Sequence, residues 1–151
     1  MQLPEVPAVG LVVSYAYLWA DEAEAGRAEG RKDRPAAIIL ARKDLGPSDV
    51  VYVVPIAHAP PRTGEEHKKV FIPEPVRRHL RLYGDASWID VTELNAFVWP
   101  GPDLRPIPNR SRTSHENVPC FYGFLPASLF ATVKRQLEHN WRRARVRAVK
   151  R

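Results

Sequence analysis

The sequence predicts an α+β domain, mainly β, in which a strongly bent antiparallel sheet or small barrel is followed by one C-terminal helix. Three observations lead there. Short apolar runs recur at Val9–Leu18, Ala36–Arg42, Val50–Ile56 and Ser87–Val98. Proline makes up 15 of the 151 residues, and most of it falls between Pro55 and Pro126, which favours many short elements and turns over long helices. A single helical stripe, Leu129, Phe130, Val133 and Leu137, follows Pro126.

In chain order, Val9 to Leu18 reads as a first strand, with Val12, Tyr15 and Tyr17 supplying β-prone bulk. Ala20 to Asp33 is a charged loop with flexible points at Gly26 and Gly30 and a helical turn at Asp21 to Ala28. Pro35 opens a second strand where its missing N–H does least harm, and it holds Arg34 extended at the strand's mouth. The unbroken run Ala36-Ala37-Ile38-Ile39-Leu40 shows neither period 2 nor period 3.6, so it reads as buried on both faces. A turn at Leu45 to Asp49 leads into a third strand, Val50 to Ile56, and the two make a hairpin.

Beyond a polar loop at Ala57 to Lys69, Val70 to Ile72 is a short strand. Glu74 to Leu82 suits a short helix, with Pro75 in its first turn, Gly84 past its end, and Val76 and Leu80 facing inward. Ser87 to Val98 holds one or two strands, Asp103 to Pro119 is irregular, and Cys120 to Phe124 is a last small strand. Pro126 then suits the first turn of the closing helix, whose core stripe extends toward Trp141 and Ala144.

The length fits one domain with its own core, spanning residues 1–141, with a basic tail at 142–151. The net charge of +6 belongs to that tail. Arg142, Arg143, Arg145, Arg147, Lys150 and Arg151 stand there without an acid, while the remaining 17 basic residues match the 17 acidic ones. An argument from charge to nucleic-acid binding therefore concerns the tail alone. One cysteine, Cys120, excludes an internal disulfide and points to a reducing, cytoplasmic setting. The apolar run at Ala8 to Ala20 has no basic residue before it and is no signal peptide, and nothing is long enough to span a membrane. No CxxC, HExxH, P-loop or GxSxG occurs, and the five histidines are scattered, so neither a metal site nor a cofactor is expected.

Four places resemble the MazF/PemK family, the toxins of bacterial toxin–antitoxin pairs. They are Gly10-Leu11-Val12-Val13; Glu29 followed by Arg34-Pro35 and its apolar strand; Val53-Val54-Pro55-Ile56-Ala57-His58; and the strand pair between Trp88 and Trp99. The resemblance implies an SH3-like small antiparallel barrel with a C-terminal helix, a homodimer, a cognate antitoxin protein as partner, and metal-independent cleavage of single-stranded RNA. Arg34 matches the family's active-site arginine. Ala57 stands where the family carries a threonine, with His58 beside it, and the family's later acidic position falls at Thr92, next to Glu93.

Such cleavage needs a base for the 2′-OH, a cation for the phosphorane and an acid for the leaving oxygen. Arg34 is the candidate cation, because a planar guanidinium fits phosphate oxygens two at a time. His58 is the candidate acid or base, and Glu29 or Glu93 the candidate that orients it or shares the proton. The hairpin is expected to bring Arg34 and His58 together. Lys32, Glu93, Asn95 and Trp99 are the candidate RNA contacts, with Trp19 and Tyr83 as further stacking surfaces. The alternative is a non-catalytic module that binds protein or nucleic acid on the same fold, or a toxin that poisons gyrase, since fold alone does not decide function.

Overall fold

The computed structural model describes residues 7–30, 32–43, 48–107 and 119–151. Eight strands and three helices follow in the order β1 (Leu11–Tyr15), α1 (Ala20–Glu24), β2 (Arg34–Lys43), β3 (Asp49–Ala57), β4 (Lys69–Phe71), α2 (Glu74–His79), β5 (Trp88–Asp90), β6 (Glu93–Val98), β7 (Phe121–Phe124), α3 (Ala127–Arg142) and β8 (Arg147–Lys150). The class is α+β, mainly β, as the short apolar runs predict.

The sheet branches at β3. One edge of β3 pairs with β2. Its other edge pairs with β6 over Val50–Val53 and with β5 at Ile56 and Ala57. β1 lies between β2 and β7, and β4 lies outside β5. All these pairs are antiparallel; β8 alone runs parallel to its neighbour, β6. Among the described residues the pairings end on β4, β7 and β8 without joining any two of them, so the sheet is open rather than a closed barrel.

The unbroken apolar runs are explained by two cores, one on each face. Val12, Ala37, Ile39, Val54 and Ile56 pack with Leu129, Val133 and Leu137 of α3, each buried Val, Leu or Ile contributing roughly 1.5–3 kcal/mol. Val13, Tyr15, Ala36, Ile38, Val51 and Val53 pack on the other face with Tyr17, Phe97, Trp99 and Leu104. The chain therefore covers both faces of these strands with its own segments. On these strands Leu40 and Val98, at 45% and 52% exposure, remain open.

Several boundaries differ from expectation. The first strand ends at Tyr15, because Tyr17 and Leu18 turn to cover the second core and the opening of α1. Trp141 stays exposed, since Asn140 takes the inward position and its amide donates to the carbonyls of His67 (2.9 Å) and Val91 (3.0 Å). The expected turn at Leu45 to Asp49 lies mostly outside the described residues, as does most of the irregular segment before Pro119. The segment 142–151, expected as a tail, carries β8. Arg147 reaches Asp21 (2.8 Å) and Glu24 (2.6 Å), and Arg151 is nearly buried against Asp103 (3.0 Å). No helix is long and apolar enough to cross a membrane among the described residues.

Candidate active site

Arg34, the first residue of β2, lies in a cavity of about 520 Å³. Sheet register explains which side chains meet it there. Arg34 pairs with Tyr15, and Ala36 pairs with Pro55, so the same register continued by two residues sets Arg34 opposite Ala57. Val53 pairs with Asn95, which by the same step sets Glu93 opposite Pro55. Paired residues share a face, so Arg34 and Glu93 lie on one face two strands apart, with Ala36, Pro55 and Ala57 between them. Both line the cavity.

The opposite wall is α1 and the residue before it, Trp19. The amide of Asn95 fixes this segment. It accepts the Leu18 N–H at 2.9 Å and donates to the Leu18 carbonyl at 2.8 Å, which leaves Asn95 fully buried. Trp19 is thereby set over Arg34, with the guanidinium carbon 4.9 Å from the ring centroid, a cation–π distance. Two carboxylates tie down the start of α1: Glu22 accepts the Trp19 N–H at 3.1 Å, and Glu93 accepts the Ala20 N–H at 2.9 Å. The returning loop is pinned by Gly30, where a Cβ would stand 2.0 Å from the Tyr17 carbonyl oxygen, so only glycine allows that approach. Past Gly30 the loop sets Lys32 on the cavity rim, with Arg27 beside it.

Burial pushes the Glu93 carboxyl up to about 7, against the Ala20 N–H, which favours the ionised form; Asp90 adds to the rise. A carboxyl that titrates near neutrality can take and return a proton at working pH. Burial lowers the pKa of Arg34, partly offset by Glu22, yet a guanidinium stays charged. Its Nε is buried without a hydrogen-bond partner, as is the Tyr17 hydroxyl, whose pKa burial and then Glu93 push upward. The same cavity is thus lined by a partly desolvated, incompletely bonded cation and by a carboxyl poised near neutral pH.

Of the residues singled out in the sequence, Arg34, Lys32, Glu93 and Trp19 come together here. His58 does not. It follows the last residue of β3, its Nδ1 lies 2.8 Å from the Ala86 carbonyl oxygen, its ring packs on Gly84, and it is not among the residues that line the cavity. Glu29 is exposed and meets Arg27 only through its backbone carbonyl, which accepts Nε at 3.3 Å. Asn95 positions the wall from below, and Trp99 is a core residue next to Phe97, so neither offers a surface to RNA. Sequence reasoning did not select Glu22 or Arg27, the ion pair (3.6 Å) at the cavity edge; the Glu22 spacing from Trp19, three residues, is the one signal that points to it, as half of a capping box. Among the described residues no three His, Cys, Asp or Glu side chains are placed to share a metal ion. No protein-family model matches the chain, and neither does any curated protein or solved structure.

Proposed function

We propose that the protein is a metal-independent endoribonuclease acting on single-stranded RNA, the toxin of a toxin–antitoxin pair in the manner of MazF/PemK proteins, on an SH3-like barrel framework. The observation that carries the reading is Glu93, with its carboxyl raised to about 7, in one cavity with the unsaturated Arg34 guanidinium. Glu93 takes the proton of the 2′-OH, and Arg34 donates to the phosphate oxygens as charge develops on them. Asp21, Arg27 and Lys32 form an exposed rim, so water protonates the leaving 5′-oxygen. The catalytic roles pass from His58 and Glu29 to Glu93, while Arg34 keeps the role its place before Pro35 predicts.

The partners belong to the same proposal. An acidic antitoxin segment that reaches Arg34 and Lys32, among the cavity's own Asp21, Glu22 and Glu93, competes with RNA, and Leu40 and Val98 offer apolar area to a second copy. The test is incubation of the protein with mixed-sequence single-stranded RNA in EDTA. Cleavage to 2′,3′-cyclic phosphate ends, lost in Arg34→Ala, is the expected result. A folded parent protein that leaves RNA intact overturns the enzyme reading in favour of a binding module.

A further inference from the structure

Beyond the second core, the face of the sheet that carries Arg34 holds a row that leads out of the cavity. Phe71 of β4 pairs with Trp88 of β5, and Trp88 pairs with Ala57 of β3. Ala57 in turn stands opposite Arg34 of β2 by the register derived above. Phe71, Trp88, Ala57 and Arg34 therefore lie side by side on one face, one residue per strand. The other face of the same strands is fully committed, with Val70 packed against the α3 core and Ile89 and Ile56 buried in it. The alternation of β4 and β5 thus does more than bury a core: it leaves two aromatic rings outside. Phe71 is 46% exposed, and its ring centroid lies 4.9 Å from that of Trp88, tilted by 56°. With strands about 4.8 Å apart, Trp88 stands roughly 10 Å and Phe71 roughly 15 Å from Arg34 along the row. Lys69, two residues before Phe71 and on the same face, holds its ammonium to the Ala59 carbonyl at 2.8 Å, with further donors to spare.

We propose that Trp88 and Phe71 form a stacking track for the bases that follow the phosphate held at Arg34, so that a single strand crosses the sheet from β2 to β4. The proposal rests on the RNA reading above. A partly exposed aromatic pair fits bases, because every base has a face to stack and the contact tolerates any sequence. The lysine beside it fits the phosphate that such a strand carries past the pair. Ala57 suits the gap between the cation and the first ring, since a small side chain there leaves the path along the row open.

The experiment measures binding of a labelled single-stranded RNA oligonucleotide to the Glu93→Gln protein, which holds RNA without cutting it, with and without Phe71→Ala or Phe71→Tyr. Phe71→Ala should weaken binding roughly tenfold, and Phe71→Tyr should restore it. In protein that retains Glu93, Phe71→Ala should raise KM with kcat unchanged, because stacking there acts alike on the ground and transition states. RNA bound equally well by the Phe71→Ala protein overturns the track while leaving the RNA reading intact. RNA bound by none of the proteins overturns both. A Phe71→Ala change that shifts the mass seen by light scattering and leaves RNA affinity alone makes the row a self-association surface and overturns the track. Phe71 is half out of the core, and thermal melting of each variant checks that the fold is kept.

Discussion

Glu93 accepts the backbone N–H of Ala20 at 2.9 Å, so the carboxyl proposed as base is also the clamp that holds the first turn of the cavity wall. A group with both tasks is buried, and burial is what moves its titration to the neutral range. The positioning bond and the poised proton arise from the same placement on β6.

Glu93→Gln should separate the two tasks. The amide oxygen still accepts the Ala20 N–H, but no proton is exchanged, so cleavage should fall by about a hundredfold or more. In the parent, kcat/KM should rise as pH increases through about 7, where the carboxyl ionises, and that inflection should be absent from the variant. Stability moves the opposite way. The folded carboxyl holds its proton more tightly than the unfolded one, whose ordinary value is 4.5, so its contribution is full below that pH and is lost as pH rises through about 7. Thermal melts at pH 5 and pH 8 should show Glu93→Gln gaining on the parent at the higher pH. An equal difference at both pH values counts against a raised carboxyl.

Arg34→Ala should remove cleavage at every pH by about a hundredfold or more, because its charge does not titrate in the working range. Arg34→Lys should rescue little. A lysine lacks the planar fork for two phosphate oxygens and the flat surface that lies 4.9 Å from Trp19. Rate measurements across pH 5 to 9 check both variants; a lysine variant as fast as the parent shows that the site needs only a point charge.

His58→Ala should leave cleavage and its pH profile nearly unchanged. The imidazole lies outside the cavity that Arg34 lines, bonded to Ala86, and its loss should cost about 1 kcal/mol of stability. Parallel rate and melting curves test this, and a large loss of rate without a loss of stability would return His58 to the chemistry.

Much of the fold and one corner of the site were legible in the sequence, for reasons that differ by residue. Arg34 could be read because Pro35 fixes the backbone around it, a local effect that needs no tertiary information. The strands could be read because apolar runs this short have few other uses. His58 lies away from Arg34 because closeness in a hairpin does not fix direction: it follows the last residue of β3, where the chain bends and the ring bonds to Ala86. Asn95 and Trp99 were misread because a polar residue and a strand-end aromatic look alike in sequence whether they meet solvent or, as here, Leu18 and Phe97. Glu93 reads from sequence both as an RNA contact and, beside Glu29, as a group for proton transfer, but the rise of its carboxyl to about 7 depends on burial against α1, which no local pattern encodes. The strand at Arg147–Lys150 was hidden by its charge, since pairing with β6 uses backbone groups and the arginines find acids far away in sequence.

Arg151 supplies the strongest contrast with a basic tail. Its side chain is 6% exposed, and its guanidinium donates to Asp103 (3.0 Å) and to the carbonyls of Ala16 (2.7 Å) and Ala28 (3.3 Å), with the Tyr15 ring 5.8 Å away. One residue thus joins the second core, the loop before Leu104 and the start of the charged loop that carries Lys32. Asp103, at 13% side-chain exposure, has little water to turn to if the arginine is removed. Arg151→Ala should therefore destabilise the fold by about 3 kcal/mol, because one buried charge is left unpaired. For a domain of this size that is roughly 6–12 °C in melting temperature. Arg147→Ala, which breaks exposed pairs with Asp21 and Glu24, should change stability little. A tail that merely gripped phosphate would give another pattern, with both variants melting like the parent and only the salt dependence of RNA binding flattened. Melting and salt-titrated RNA binding on the same two variants separate the cases, and an Arg151→Ala protein as stable as the parent would remove the buried pair from the account of the fold.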